Sequence, residues 1–145
     1  MMRARAPKQK SWSEELLERA SEFHGHGGPF MVVGLRMGLE ALRRLGASGW
    51  FDVRCCVELN WRPPDLCVID GVQVSTGCTI GKHNIEVSEA EGVAAEFYKS
   101  DDRLRVVLRN EVLDRMRMTL ATGEDAASLV EEIAEADPSD LFEFH

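Results

Sequence analysis

The stretch "FHGHGGPFMVVGLRMGLEALRRLG", residues 23–46, contains the most strongly patterned helix of this chain. Pro29 suits the first position of a helix and Gly46 suits the residue after its end, so we predict a helix over 29–45. Apart from one stripe of arginine and glutamate, the residues of this predicted helix are apolar. The pattern therefore predicts a largely buried helix around which the rest of the fold is arranged.

Two glycines, Gly34 and Gly38, lie four residues apart on this predicted helix. Each costs about 1 kcal/mol relative to alanine in a helix interior. Their presence indicates that another element approaches the helix closely. Either a sheet or a second helix would explain it.

The segments on either side of the helix mix both kinds of secondary structure. "SWSEELLERASEF" predicts a first helix, with Ser11 and Glu14 as a capping box and Phe23 on its inward face. Residues 51–59 alternate like a half-buried strand with Phe51 facing inward, whereas 66–76 fit either a strand or a helix. "NIEV", "VAAEFYK" and "RLRVVL" predict three short strands, and two amphipathic helices follow.

These elements predict an α+β fold, with helices packed on a mixed, mostly antiparallel sheet in a single domain. We expect a flexible basic tail at 1–10, a core domain at 11–136 and a C-terminal tail at 137–145. A length of 145 residues is typical of one domain.

Composition excludes several classes of function. The net charge of −8 disfavours nucleic acid as a partner, because binding phosphates requires a clustered basic face. No apolar run approaches the roughly 18 residues of a membrane span, and the basic N-terminus lacks the apolar region of a secretion signal, so we expect a cytoplasmic protein. The four cysteines include no CxxC pair, which disfavours a structural zinc module.

Two of the four histidines, His24 and His26, lie one residue apart just before the buried helix. In an extended segment both side chains would project to the same side, which suits a shared metal ion or polar pocket. The glycines around them let backbone approach a ligand, and the free N–H groups of a helix N-terminus favour an anion. Hydrogen bonds that only stabilise the loop are the alternative interpretation.

A second block, "LCVIDGVQVSTGCTIGKHNIEV" at residues 66–87, makes a family resemblance specific. Together the two blocks resemble the E-subunit family of formylmethanofuran dehydrogenase over roughly residues 12–110. The matching residues of the first block are Phe23, His24, Gly25, His26, Pro29, Gly34 and Arg36. Those of the second block are Cys67, Asp70, Gln73, Thr76, Gly77, Cys78, Thr79, Gly81, Lys82 and Asn84.

The resemblance implies an α+β core that forms a homodimer and works beside catalytic formylmethanofuran dehydrogenase chains in the one-carbon step of methanogenesis. Many family members carry a C-terminal zinc finger, but this chain has no cysteine after Cys78 and is similar to the core alone. The family pattern usually has cysteine where this chain has Gly28. The implied role is accessory, in handling metal or pterin for catalytic chains, and not that of a complete enzyme.

The candidate metal ligands are His24, His26, Cys67 and Cys78, and zinc is the expected transition metal. If 67–76 is helical, the two cysteines lie about 16 Å apart. Either one of them joins the histidines, which we favour, or a dimer brings both cysteines together across an interface. A helix N-terminus would also favour the thiolate of Cys67.

The candidate ligand-binding residues are Asp70, Gln73, Thr79, Lys82 and Asn84. Lys82 follows a glycine, but the spacing is not that of a P-loop. Two alternatives to the accessory role stay open. One is a free-standing homodimeric module that binds a metal or another ligand without a catalytic partner. The other is a small enzyme in which a bound metal activates water or a carbonyl group.

Overall fold

Helix α2 (Pro29–Leu45) lies at the centre of the structure, a computed structural model that describes residues 10–123 and 126–145. Eleven of its 17 residues are buried. Gly46 ends the helix in the left-handed conformation, with φ of 63°, which glycine adopts without strain. The predicted boundaries and burial of this helix are confirmed.

Helix α3 (Cys67–Thr76) packs against α2 with backbone touching backbone. A Cβ atom built on Gly34 would lie 2.0 Å from the carbonyl oxygen of Val68. One built on Gly71 would lie 2.0 Å from the carbonyl oxygen of Met31. The close approach predicted from the α2 glycines is therefore confirmed, and the approaching element is a second helix.

Within residues 10–123 and 126–145, five strands form one sheet in the order β2-β1-β3-β4-β5. The strands are β1 (Arg54–Leu59), β2 (Ile85–Glu89), β3 (Ala94–Lys99), β4 (Asp102–Leu108) and β5 (Phe142–Phe144). Only β1 and β2 are parallel, and α3 lies in the connection between them. The predicted fold class, helices on a mixed and mostly antiparallel sheet, is confirmed.

The two faces of the sheet differ in polarity. Its inner face carries a fully buried row formed by Val57, Ala95 and Val106 on neighbouring strands, and α2 packs against β3 and β4. The outer face carries ion pairs instead, in which the Arg105 guanidinium lies between the carboxylates of Glu58 and Glu96. One face therefore supplies the core, as the period-2 alternation predicts.

Three further helices surround this centre: α1 (Glu14–His24), α4 (Asn110–Thr122) and α5 (Ala126–Glu135). Two predicted details of α1 are wrong. Ser13 caps the helix, because its hydroxyl accepts a hydrogen bond from the Leu16 amide at 3.0 Å. Phe23 is 59% exposed, since the inward position of the last turn is taken by His24. In the described ranges, no helix is long and apolar enough to cross a membrane.

Residues 137–145, predicted to be a tail, instead form a short helix, α6 (Pro138–Leu141), and the edge strand β5. Phe142 is only 1% exposed, and the burial of such apolar side chains holds the segment on the sheet. His145 exchanges two backbone hydrogen bonds with Arg105 and extends the pairing to the last residue.

Strand β1 begins at Arg54, three residues later than predicted. Gly49 and Trp50 have positive φ values of 102° and 62°, so the chain turns before the strand begins. Phe51 consequently projects outward and is 86% exposed, where the alternation predicted an inward side chain. Basic and aromatic side chains surround this exposed ring.

Candidate functional site

The last turn of α1 and the first turn of α3 meet at one cavity of about 200 Å³, which we call the histidine cavity. His24, His26 and Cys67 contribute the atoms that could bind a ligand, and Phe30, Pro64 and Leu120 contribute much of the apolar wall. The cavity lies at the N-terminal end of the buried helix α2, where Pro29 also lines it.

His24 is the last residue of α1, and Gly25 ends that helix in the left-handed conformation. Its ring nitrogen Nδ1 lies 2.6 Å from Oδ2 of Asp70 on α3. Because a carboxylate only accepts hydrogen bonds, Nδ1 carries the proton and donates it. In the neutral ring the second nitrogen, Nε2, then keeps a free lone pair. A carboxylate behind the imidazole is the arrangement that orients metal-binding histidines in many proteins.

Cys67 begins α3 and shares the cavity with both histidines. Burial raises the pKa of its thiol, and the nearby negative charge of Asp70 raises it further. A backbone hydrogen bond at the start of the helix lowers the pKa of this thiol, but burial and the carboxylate outweigh that effect. Cys67 is therefore a protonated thiol at neutral pH, and a ligand that needs the thiolate must displace this proton.

His26 lies on the exposed loop between α1 and α2, and its ring centroid is 6.4 Å from that of His24. The expectation of an extended segment is wrong, since His24 is helical and only His26 belongs to the loop. A Cβ atom on Gly28 would lie 2.8 Å from Cε1 of His26. The imidazole thus occupies the space that a side chain at residue 28 would need.

Cys78 does not reach the histidine cavity, because it lies beyond the opposite end of α3. Its sulfur contacts the carbonyl oxygen of Val53 at 3.5 Å, and its side chain is fully buried. A hydrogen bond from the Cys55 thiol and another from Thr76 lower the pKa of Cys78 to about 7. The structure therefore brings Cys67, and not Cys78, to the histidines.

The predicted ligand-binding residues separate into two groups. Asp70 belongs to the histidine cavity, whereas Thr79, Lys82 and Asn84 form a polar turn near Cys78. The Thr79 hydroxyl accepts a hydrogen bond from the Lys82 ammonium at 3.0 Å. Asn84 is structural, since its side chain accepts from the Thr79 amide and donates to the Trp50 carbonyl.

Gln73 lies on α3 one turn after Asp70, farther from the start of the helix. Its backbone carbonyl accepts a hydrogen bond from the amide of Gly77, the left-handed residue that ends α3. The lining of the histidine cavity does not include its side chain. The described contacts therefore place Gln73 beside the site and not in it.

Helix α4 also contributes to the cavity wall, which the sequence did not predict. Leu120 of this helix lines the cavity, and Arg117 of the same helix binds the buried carboxylate of Asp65 at 2.8 Å. Asp65 is 3% exposed and follows the Pro63–Pro64 pair just before α3. An aspartate after two prolines was visible in the sequence, but neither its burial nor the arginine that pairs with it was.

The donors in the cavity suit a transition metal in kind, because imidazole nitrogen and thiolate sulfur are the usual ligands of zinc. Their positions do not form a ready site. Across residues 10–123 and 126–145, no group of three histidine, cysteine, aspartate or glutamate side chains is arranged to hold one ion. His24 is fixed by Asp70, so the exposed His26 is the donor that has room to move.

The fold and the cavity define a class of small α+β proteins in which histidine and cysteine side chains line one cavity at the end of a buried helix. The family model described as "FmdE, Molybdenum formylmethanofuran dehydrogenase operon" matches residues 23–143. The chain belongs to this family. The family resemblance inferred from the two sequence blocks is thereby confirmed.

Two individual proteins are similar to the chain. A crystal structure of a tungsten formylmethanofuran dehydrogenase E-subunit (FmdE)-like protein from Syntrophus aciditrophicus aligns with a TM-score of 0.68 and 26% identity. The alignment covers 98% of this chain and 76% of that one. A "Probable S-adenosyl-L-methionine-binding protein" of Archaeoglobus fulgidus is 45% identical over 76 residues, which are 48% of this chain. The aligned part spans only 19% of that protein.

Proposed function

We propose that this chain is an accessory protein of the formylmethanofuran dehydrogenase system that binds a transition metal, zinc first among them, in the histidine cavity. The observation that carries the proposal is the meeting of His24 and Cys67 in one cavity, with Asp70 behind the His24 ring. His24 and Cys67 would hold the ion, and His26 would join them from the loop. A bound zinc ion would act as a Lewis acid or as a carried ion.

Each residue has a separate part in this proposal. Asp70 keeps the proton on Nδ1 of His24 and so directs the lone pair of Nε2 into the cavity. Cys67 must lose its proton on binding, so affinity rises with pH, in keeping with the raised pKa of this thiol. The apolar wall formed by Phe30 and Leu120 limits water around the ligand.

Zinc titration of the whole chain, followed by elemental analysis after dialysis, tests the proposal. Cys67→Ser and His24→Ala should lose bound zinc, whereas Cys78→Ser, a cysteine outside the cavity, should retain it. Asp70→Asn should weaken affinity by about 10- to 100-fold, as is typical when the partner of a metal-binding histidine is removed. Equal zinc retention by the Cys67 and Cys78 variants would contradict the proposal.

Gly28→Cys provides a gain-of-function variant. Gly28 has extended backbone geometry, with φ of −88°, so cysteine is accommodated there without backbone strain. Its side chain would displace His26 and add a thiol beside the cavity, as in the usual family pattern. We expect tighter zinc binding in this variant than in the unchanged chain.

S-adenosyl-L-methionine is a second candidate ligand, because the Archaeoglobus fulgidus relative carries that name. The size of the cavity favours a zinc ion over S-adenosyl-L-methionine. The histidine cavity measures about 200 Å³, below the roughly 300–1,000 Å³ of pockets for drug-sized ligands. Calorimetric titration with S-adenosyl-L-methionine decides between this ligand and zinc. If the chain binds S-adenosyl-L-methionine saturably, Cys67→Ser weakens that binding, and the chain binds no zinc, then S-adenosyl-L-methionine replaces zinc as the proposed ligand.

We also propose that the chain forms a cytoplasmic homodimer and associates with catalytic formylmethanofuran dehydrogenase chains. Family membership supports it. Light scattering of the purified chain measures the homodimer, and co-purification from native cells measures the association with catalytic chains. A monomer that co-purifies with no catalytic chain would favour a free-standing module instead.

A further inference from the structure

A second surface, away from the histidine cavity, collects aromatic and basic side chains. We call it the aromatic–basic groove. It is an open groove of about 490 Å³ lined by Phe51, Arg54, Asn84, Tyr98 and Lys99, among others. It lies where β1 begins and β3 ends, beside the polar turn that contains Lys82.

The aromatic rings of this region carry cations on their faces. The Lys82 ammonium lies 5.8 Å from the centre of the Phe51 ring, and the Arg54 guanidinium lies 4.8 Å from that of Tyr98. Next to them, the Lys10 ammonium lies 4.5 Å from the centre of the Trp50 ring. Three of the four cation–aromatic contacts found in the described part of the chain therefore occur in this one region.

The cations of the region lack carboxylate partners. Among the described residues, no ion pair involves Lys10, Arg54, Lys82 or Lys99, whereas most of the described arginines elsewhere in this acidic chain pair with glutamate or aspartate. Burial lowers the pKa of Lys10, and the charge of Lys82 lowers it further, so these cations lie close enough to repel one another.

One carboxylate, that of Asp52, lines the groove together with two cations, Arg54 and Lys99, so it does not cancel their charge fully. Both oxygens of Asp52 accept hydrogen bonds at 2.8 Å, one from the Ser48 amide and one from the Gly49 amide. Phe51 is 86% exposed, and the fixed turn at Trp50, with φ of 62°, keeps its ring outside the core. An exposed ring beside unpaired cations presents a stacking face and a positive field together.

We propose that the aromatic–basic groove binds a nucleotide, meaning a ligand that combines a planar base with a phosphate group. The base stacks on the exposed Phe51 ring, and Arg54 and Lys99 attract the phosphate. A volume of about 490 Å³ falls within the range of about 300–1,000 Å³ that is typical of small-molecule pockets. A free nucleotide and a single strand of nucleic acid share this chemistry, and the net charge of −8 favours the free nucleotide.

Calorimetric titration of the whole chain with four probes tests the proposal: AMP, adenosine, inorganic phosphate and a single-stranded ten-nucleotide DNA. AMP should bind more tightly than adenosine, which lacks the charge, and more tightly than phosphate, which lacks the ring. Phe51→Ala and Arg54→Ala should each weaken AMP binding about tenfold, the effect of losing one stacking or charge contact. Added salt should weaken AMP binding to the unchanged chain more than to Arg54→Ala.

Trp61 and Arg62 offer a matched control on another surface. Trp61 is an exposed aromatic ring, and the neighbouring Arg62 forms no ion pair with the residues that the structure describes. Trp61→Ala and Arg62→Ala should leave AMP binding unchanged. Circular dichroism should show every variant folded, since Phe51 and Trp61 make little contact with the core.

Three results would overturn the proposal. The first is AMP binding no tighter than phosphate binding, and the second is an equal loss of AMP binding in Trp61→Ala and Phe51→Ala. The third is binding of the ten-nucleotide DNA without detectable AMP binding, which would favour a nucleic-acid strand as the ligand.

Discussion

Replacing Gly34 with alanine should destabilise the chain, although alanine is the better helix former. In an open helix, Gly34→Ala would stabilise by about 1 kcal/mol. Here the new Cβ atom would lie 2.0 Å from the Val68 carbonyl oxygen, a distance that must grow beyond 3.0 Å. The obstacle is backbone, so α2 and α3 must move apart as whole helices.

Overpacking of this kind costs about 1–3 kcal/mol, and obstruction by backbone places this case at the upper end or above it. After the gain in helix propensity, we expect a net loss of about 2 kcal/mol in the free energy of unfolding. With a urea slope of about 1–3 kcal/mol per molar, the unfolding midpoint should fall by about 1 M. Urea unfolding monitored by circular dichroism measures this shift.

Gly38→Ala provides the comparison, because the atom obstructing it belongs to a side chain. Its Cβ would lie 1.9 Å from the Ser75 hydroxyl oxygen, and Ser75→Ala removes that oxygen. The double variant should therefore recover part of the stability lost in Gly38→Ala, whereas shortening Val68 should not rescue Gly34→Ala. A Gly34→Ala chain as stable as the unchanged one would refute the argument from backbone contact.

Two further predictions concern the half-buried Arg36 and the buried Cys78. Arg36 donates to the carbonyl oxygens of Ile133, Ala134 and Ala136 at 2.7–2.8 Å, so Arg36→Ala should cost about 2–3 kcal/mol in urea unfolding, while the exposed Arg43→Ala should cost under about 0.5 kcal/mol. An equal cost for both would contradict this role. The lowered pKa of Cys78 predicts a thiolate absorbance transition at about 240 nm near pH 7 that Cys78→Ser removes. The pKa of a cysteine thiol in the unfolded chain is about 8.5, so ionisation of Cys78 stabilises the fold fully above about pH 8.5. This stabilisation is lost as the pH falls through about 7, the pKa of Cys78 in the folded chain. A stability difference between Cys78→Ser and the unchanged chain that does not vary between about pH 6 and 9 would contradict it.

The elements that the sequence predicted well are those with strong local signals. Helix α2 has a proline at its start, a glycine after its end and an apolar surface long enough to define its period. Strands β2, β3 and β4 are separated by polar turns. Residues 66–76 carried no such signal, because a helix buried on several sides lacks a polar stripe. The contact of Gly71 with α2 shows that this segment packs as a buried helix.

The errors arose where long-range contacts override a short pattern. Strand β5 has three residues, too few to show a period, and its pairing with β4 joins positions more than 30 residues apart. The alternation that placed Phe51 inside continued across a turn that reverses the chain. In both cases the deciding interaction involves residues that are not neighbours in the sequence.

The candidate site shows the same division between residue type and arrangement. The sequence could favour a single cysteine beside the histidines within one chain, because a helix separates Cys67 from Cys78, but only the packing of α1 on α3 selects Cys67. Likewise, the sequence showed that Gly28 departs from the family pattern, but it did not show how this glycine affects the position of His26. The His26 ring fills the space beside Gly28, so the same substitution removes a thiol and gives an imidazole room at the cavity. Metal affinity in this chain should therefore depend on residue 28 through the position of His26 as well as through the absent sulfur.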